Sequence, residues 1–444
     1  MGAQFRAVSR TAIRHPPKYR ARPSTERSML FAAILLALFV LSAAFAAQRK
    51  DVTRGFDELA QASYVAQLQR SGEIWPALGA LRMLDPASFR FTAAPNYLNH
   101  PPLYYWLLAW LGPRIEGNPS ALLAHRLLNV LIAAIGLAAL FAIGPAAGLR
   151  PPELYALWLP LVCIPVLPQL AGAINNDNAA FAGGAVAAFA AFRLFDTGAM
   201  RWLLLALAGM VAASFAKLTG LLLVGGLVGG LVILLAWRGR LPRVWLVSIA
   251  VAGLLAAAPY AIFIAQYGSP APETPAQFAL LASGAREAGW ANTPPRSLPA
   301  FAAAFFAAFL AEWMPVLAQR NALQNALLVL PLIAVLIGIV GIYCSARRVM
   351  SRSGNALDAV VVAGALAIAA TLAAHLGFSW HRHLATGWMM DAYPRYYLPL
   401  IAVVPLAGLS LAAAIGDARK RNLLIGFLIL APILFRLLGG PIVS

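Results

Sequence analysis

Charge is what this sequence has least of. Asp, Glu, Lys and Arg make up 11% of it and hydrophobic residues 61%, where a soluble domain carries about 25% charge. That shortfall argues against a water-soluble globule. So apolar a chain would expose large sticky patches to water, and lipid is the solvent that removes the problem. Cysteine is scarcer still. Cys163 and Cys344 both fall inside apolar runs and read as small core residues rather than as a disulfide or metal ligands. Acids number 16 against 34 Lys and Arg, a net charge of +18. On a soluble protein that balance would point to nucleic acid. Here the cations sit between apolar stretches, so membrane topology accounts for most of them and no nucleic-acid partner is expected. Low-complexity linkers, internal repeats and a soluble domain are also missing.

What the sequence has in abundance is apolar runs near the roughly 20 residues that a spanning helix needs. Eleven spans are expected, at 29–48, 121–144, 154–173, 178–195, 202–218, 219–237, 243–265, 323–345, 358–378, 395–415 and 422–438. The expected fold is an all-α polytopic bundle of about 11 (11–13) helices over residues 29–444, behind a basic cytoplasmic tail at 1–28. That tail carries Arg6, Arg10, Arg14, Lys18, Arg20, Arg22 and Arg27. Met29–Gln48 is long for a cleaved signal and is read as an uncleaved first span. With the N-terminus inside, the inner connections hold Arg150; Arg193 and Arg201; Arg238, Arg240 and Arg243; Arg347, Arg348 and Arg352; and Arg419, Lys420 and Arg421. This follows the positive-inside rule, with Arg49 and Lys50 as the exceptions at the start of a long outer loop. Pro102–Leu111 is too short to span and is placed as an interfacial helix. Leu298–Leu317 is treated the same way, because a further span there would turn the Arg347–Arg352 cluster outward.

This topology gathers the unusual polar residues on the outer face, in the loops 49–120 and 266–322 and in short breaks between spans. Asp57-Glu58 follows the first span. An acid pair at a membrane boundary can take a proton from a hydroxyl or bind a divalent metal; a solvated helix start is the plain alternative. Pro95-Asn96-Tyr97-Leu98-Asn99-His100-Pro101-Pro102 leads into the aromatic run Tyr104-Tyr105-Trp106, which suits an interface. His100 is a candidate metal ligand or proton carrier. Asp177, in Asn175-Asn176-Asp177-Asn178, is costly at membrane depth and is either functional or a helix cap. Lys217 breaks two apolar spans on the face the positive-inside rule empties of cations, which favours a phosphate contact over snorkelling. Arg395, between Tyr393 and Tyr396, offers a planar guanidinium suited to a phosphate. The pair His381 and His383 is a weak metal signal.

Together these residues resemble the GT-C superfamily of membrane glycosyltransferases, in particular the protein O-mannosyltransferase and lipid A aminoarabinose transferase group (glycosyltransferase family 39-like). The motifs are Asp57-Glu58 with Tyr64, Ser71-Gly72-Glu73-Ile74-Trp75-Pro76, His100-Pro101-Pro102-Leu103-Tyr104-Tyr105-Trp106 and Ala124-His125-Arg126-Leu127. Asp177, the break at Lys217, and Arg395-Tyr396 with Leu398-Pro399 complete the set. They cover roughly residues 50–220 and a shorter late segment. Where the aminoarabinose transferases have Glu-Lys before the proline, this chain has Asn99-His100, so neither their metal arrangement nor their substrate carries over.

The resemblance implies a multi-pass protein of the inner or plasma membrane. Its active site would face outward, and it would move a hexosyl or pentosyl group from a polyprenyl-phosphate donor to a lipid, glycan or protein acceptor. It implies Asp57 as catalytic acid–base group supported by Glu58, and Lys217 and Arg395 as donor-phosphate ligands. His100, Asn99, Tyr104, Asp177 and Tyr396 would line the site. A divalent metal, if used, has Asp57 and His100 as its candidate ligands. A transporter or lipid flippase is the alternative class. It would place polar groups at mid-membrane on broken helices, often in repeated halves. An assembly factor without chemistry is a third reading, in which Asp57 would be dispensable.

Overall fold

The computed structural model describes residues 23–290, 294–311, 326–389 and 392–438. Helices dominate, because in lipid every backbone N–H and C=O must find its partner inside the chain. In chain order they are α1 (Pro23–Arg49), α2 (Glu58–Ser71), α3 (Leu103–Leu111), α4 (Ala121–Ala146), α5 (Pro151–Val162), α6 (Val166–Ala171), α7 (Asp177–Thr197) and α8 (Met200–Ala216). There follow α9 (Leu218–Trp237), α10 (Trp245–Tyr267), α11 (Pro275–Glu287), α12 (Leu298–Ala311), α13 (Val329–Met350), α14 (Ala356–Thr386), α15 (Val403–Ala414) and α16 (Ala418–Leu438).

Among the described residues, eight helices are long and apolar enough to cross a membrane: α1, α4, α7, α9, α10, α13, α14 and α16. A ninth span arises if the 3-10 turn Pro394–Leu400 and α15, bent by 59° relative to each other, count as one. The chain is thus a multi-pass membrane protein. The other two expected spans take a different form. The segment 202–218 is α8, a 17-residue apolar helix. The segment 154–173 is broken into α5 and α6 at Cys163-Ile164-Pro165. Pro165 has no N–H to continue the ladder and biases Ile164 away from helical geometry. The basic tail before residue 23, residues 312–325 and Asp391 lie outside the described residues, so the end of Leu298–Leu317 and the start of the expected span at 323 do too.

Packing follows the helical period. On α1, Leu30, Ile34, Leu38, Leu41 and Phe45 are exposed, while Leu35, Phe39, Ala43 and Ala46 face inward. Such an outer stripe suits lipid contact. Where helices touch, small residues let the backbones close, the device that replaces hydrophobic drive in a membrane. A Cβ on Gly183 of α7 would lie 2.7 Å from Gly209 O of α8, and one on Gly209 2.5 Å from Gly183 O. A Cβ on Gly172 would lie 2.6 Å from Ala43 O of α1.

The loop between α1 and α4 is folded. It holds α2, α3 and an antiparallel hairpin of β1 (Arg82–Leu84) and β2 (Phe91–Pro95). The hairpin is too short for the hydrophobic pattern to announce, and the sequence reading contains no strand. α3 buries Tyr104, Tyr105 and Leu108 and exposes Leu103, Leu107, Leu111 and Trp110, the last 80% exposed. A short helix with one wholly apolar open face fits the membrane surface.

The topology has its own test. In a background with Cys163 and Cys344 replaced, single cysteines at Thr92 and Ala288 are expected to react with an impermeant thiol reagent in intact cells. Cysteines at Arg240 and Asp417 should react only after permeabilisation. The reverse pattern would invert the orientation.

Candidate functional site

Asp57 sits where the chain turns from α1 into α2. Gly55, Phe56 and Asp57 have φ of 73°, 60° and 57° in succession. For the two non-glycine residues the left-handed region costs roughly 1–2 kcal/mol each. Such a turn persists only if its surroundings hold it. Asn175 Nδ2 donates to Phe56 O at 2.7 Å. The next residue, Glu58, is gripped by three partners through four contacts. Arg126 of α4 donates Nε to Oε1 at 2.8 Å and Nη2 to Oε2 at 2.9 Å, and the Ile174 N–H donates to Oε1 at 2.9 Å. Lys50 Nζ lies 3.5 Å from Oε2. The third arm of Arg126 donates to Ala47 O at 2.9 Å. Glu58 therefore ties the end of α1, α4 and the start of α7 into one knot, with its own side chain 0% exposed.

The asparagine run before α7 extends this scaffold. Asn175 Oδ1 accepts from Asp177 N at 2.7 Å, and Asn176 Nδ2 donates to Ala216 O at 2.8 Å. Asn178 Nδ2 donates to Leu170 O and Asn129 Oδ1, both at 3.0 Å. Tyr104 is buried and donates to Asn129 Oδ1 at 2.7 Å. Buried amides and a phenol that satisfy one another in this way rigidify the region.

Asp57 projects from the knot into a chain of ions. Its Oδ1 accepts from the Tyr97 hydroxyl at 3.0 Å, and its Oδ2 lies 3.4 Å from Arg395 Nη2. Arg395 Nε lies 3.4 Å from Asp177 Oδ2, and Asp177 Oδ1 accepts from Lys217 Nζ. The Arg395 guanidinium also lies over the rings of Phe56, Tyr393 and Tyr396, and Lys217 lies over Tyr396 at 3.7 Å. Lys217 reaches this position because α8 and α9 meet there: its φ of −169° is fully extended between the two helices. The Asp57 side chain is 44% exposed, against 15% for Arg395, 7% for Lys217 and 3% for Asp177.

These ions border a cavity of about 480 Å³. Of the residues singled out from the sequence, Asp57, Asn99, His100, Lys217, Arg395 and Tyr396 line it. Asp177 stands behind the cations. Glu58 and Tyr104 are packed inside the scaffold, away from the cavity wall. Asn99 Nδ2 donates to Pro272 O at 2.8 Å and lies 3.3 Å from Gln277 Oε1, fixing the start of α11 over the cavity. Arg382 of α14 bonds Glu273 at 2.6 Å on the same side. Much of the remaining wall is apolar: Leu218, Leu222, Tyr260, Leu280, Leu281 and Phe378. Burial, reinforced by Lys217, brings the His100 imidazole down to about 3, so it is neutral near pH 7. Burial and the Asp57 carboxylate push the Tyr97 hydroxyl above its ordinary range, which keeps it a donor.

Among the described residues no three His, Cys, Asp or Glu side chains cluster to hold an ion. Asp57 is already engaged by a cation and a phenol. His383 is buried, its Nε2 accepting from Arg296 N at 3.1 Å and its ring stacked on Phe301, while His381 is exposed. Tyr97, Arg126, Lys50 and Gln277 were not assigned roles from the sequence. Arg126 stands in the sequence only as part of a motif, and the signal it offers is an arginine in the second turn of a long apolar helix.

No family model matches the chain, and no curated protein matches it. Solved structures to which the chain is similar include two crystal structures of ArnT from Cupriavidus metallidurans. One, bound to undecaprenyl phosphate, is 16% identical over 82% of this chain and 78% of that one, with a TM-score of 0.36. The other, in the apo state, is 18% identical over the same shares, with a TM-score of 0.34.

Proposed function

We propose that this protein is a membrane glycosyltransferase that moves a sugar from a polyprenyl-phosphate donor to an acceptor at the outer face of the membrane. One observation carries the reading: Arg395 is a mostly buried guanidinium on the cavity wall whose hydrogen-bonding capacity is only partly spent. Its Nε has no hydrogen-bond partner, and its contacts to Asp57 and Asp177 are both 3.4 Å, longer than the about 2.7–2.9 Å of a strong charge-assisted bond. A buried charged donor left in this state calls for an anion. Lys217 stands beside it, and the apolar wall next to both suits an isoprenoid chain.

The chemistry follows from the charges. A polyprenyl-phosphate sugar is a phosphodiester with one negative charge. When the bond between the anomeric carbon and the phosphate oxygen breaks, its electron pair leaves with the phosphate, which then carries two. Lys217 and Arg395 therefore hold the leaving group more tightly as the reaction proceeds, and this is what accelerates it. The acceptor hydroxyl attacks the anomeric carbon from the opposite face, with inversion, and gives its proton to Asp57. Donor phosphate competes with Asp57 for Arg395, so donor binding loosens the carboxylate that must act as base.

The direct test is sugar transfer by the purified protein in nanodiscs with synthetic polyprenyl-phosphate sugars. Mass analysis of envelope glycolipids and glycoproteins after gene deletion would identify sugar and acceptor. Arg395→Ala is expected to weaken donor binding about 10- to 150-fold, the equivalent of about 1.5–3 kcal/mol for a hydrogen bond to a charged group, and Arg395→Lys to restore part of it. Unchanged donor affinity in a folded Arg395→Ala protein would remove the phosphate from this site.

A further inference from the structure

The end of the bundle opposite the cavity carries a second group of cations, and among the described residues these stand outside any ion pair. α7 and α9 begin at Asp177 and Lys217 beside the cavity and end near Phe195 and Trp237, about 30 Å away at 1.5 Å per residue. There the guanidinium carbons of Arg238 and Arg240 lie 4.8 and 5.3 Å from the Phe195 ring centre, and that of Arg352 lies 5.3 Å from the Trp237 ring centre. Arg238 Nη1 donates to Gly354 O at 3.1 Å and Arg240 Nη2 to Phe195 O at 2.9 Å. Among the described residues no carboxylate forms an ion pair with any of the three. The Nε and Nη2 of Arg238 are shielded from solvent and have no hydrogen-bond partner.

We propose that Arg238, Arg240 and Arg352 form a binding site for the phosphate headgroup of an anionic membrane lipid. Asp358, the carboxylate that acts on Arg238, is itself paired with Arg348 at 2.7 Å, and like charges drawn together without an ion-paired acid favour an anion there. The rings fix the guanidiniums by cation–π contact, so their planar forks are arranged before the ligand arrives. A lipid rather than a soluble ion is favoured by the apolar surface beside them: Trp237 is 41%, Ile233 68% and Met350 70% exposed, offering acyl-chain contact next to the headgroup. A cation at a helix C-terminus also complements the helix dipole, and Arg238 is the C-cap of α9. Among the described residues, the one main-chain carbonyl that the Arg238 side chain bonds, Gly354 O, lies outside α9, and the side chain's Nε and Nη2 bond none. The proposal is independent of the transferase reading.

The experiment takes the full chain in detergent and counts bound lipid by native mass spectrometry. The probes are dioleoyl phosphatidylglycerol, dioleoyl phosphatidylcholine and inorganic phosphate. One phosphatidylglycerol is expected to be retained where phosphatidylcholine is not. Arg238→Gln and, separately, Arg352→Gln should each weaken retention roughly fivefold or more, the scale for one basic side chain at an anionic surface. Arg419→Gln combined with Lys420→Gln removes charge elsewhere on the same face and should leave retention unchanged. Thermal unfolding establishes that each variant is folded. Equal loss in the Arg419/Lys420 control, or full retention in both arginine variants, would overturn the site in favour of general surface charge. Displacement of the lipid by millimolar inorganic phosphate would overturn the lipid assignment.

Discussion

Asp57→Asn is expected to lower sugar transfer at least about 10²-fold, the usual scale for losing general-base help, while donor affinity stays within a few-fold of wild type. Asparagine keeps the shape, and its Oδ1 can still accept from Tyr97, which bonds Asp57 at 3.0 Å. What it removes is the charge and the basicity. The substitution also releases Arg395 from the 3.4 Å contact with Oδ2, so a donor phosphate should find Arg395 no less available. Turnover and binding therefore separate: a base is missing, a phosphate site is not. Single-turnover transfer by protein saturated with donor measures the first, and equilibrium binding of the donor measures the second. Near-wild-type turnover would end the proposed mechanism. A parallel loss of donor affinity would instead move Asp57 into the binding site.

The second large effect concerns stability. Arg126→Met leaves the Glu58 carboxylate, 0% exposed, with Lys50 at 3.5 Å as its one ion-pair partner among the described residues. Removing one partner of a buried pair costs about 3–5 kcal/mol, because the other charge is left uncompensated. The same substitution frees Ala47 O from its bond to Nη1. Glu58→Gln added to Arg126→Met should recover a good part of the loss, since a neutral amide is far less costly to bury than a lone carboxylate. Thermal unfolding in one detergent, run on both single variants and the double, forms the cycle that measures the coupling. Strict additivity would show that the pair does not act as a unit. Arg126→Met should also lower transfer, even though Arg126 is absent from the cavity wall, because Glu58 holds the left-handed turn that aims Asp57.

The two acids of Asp57-Glu58 illustrate what adjacency in a sequence hides. From the motif they read as a catalytic pair, with Glu58 the helper. In the fold, one side chain opens on the cavity and its neighbour turns into the scaffold, as successive residues at a helix start must point in different directions. Asp177 is similar: its acidity marked it, yet its place is behind Lys217 and Arg395, where it keeps two buried cations tolerable. The broken helix at Cys163-Ile164-Pro165 was legible in principle from its prolines, but apolarity alone reads through them. The β1–β2 hairpin was not legible, because strands of 3 and 5 residues carry too short a pattern.

Lipid as the solvent, the approximate spans and the arginines between them are legible in the linear order of residues. Each of these rests on a local quantity: the apolar content of about 20 consecutive residues, or the charge between two such runs. The same order also marks Asp57, Asn99, His100, Lys217, Arg395 and Tyr396, which the fold brings to one cavity wall, because polar groups at membrane depth are costly. Which of them meet is settled in three dimensions. Asp57 and Arg395 are 338 positions apart, Glu58 and Arg126 are 68 apart, and Asp177 and Lys217 are 40 apart. Those pairings depend on which helices pack together. Packing in a membrane is set by the fit of small residues such as Gly183 and Gly209 against facing backbone, a property of two surfaces that no single stretch of chain contains.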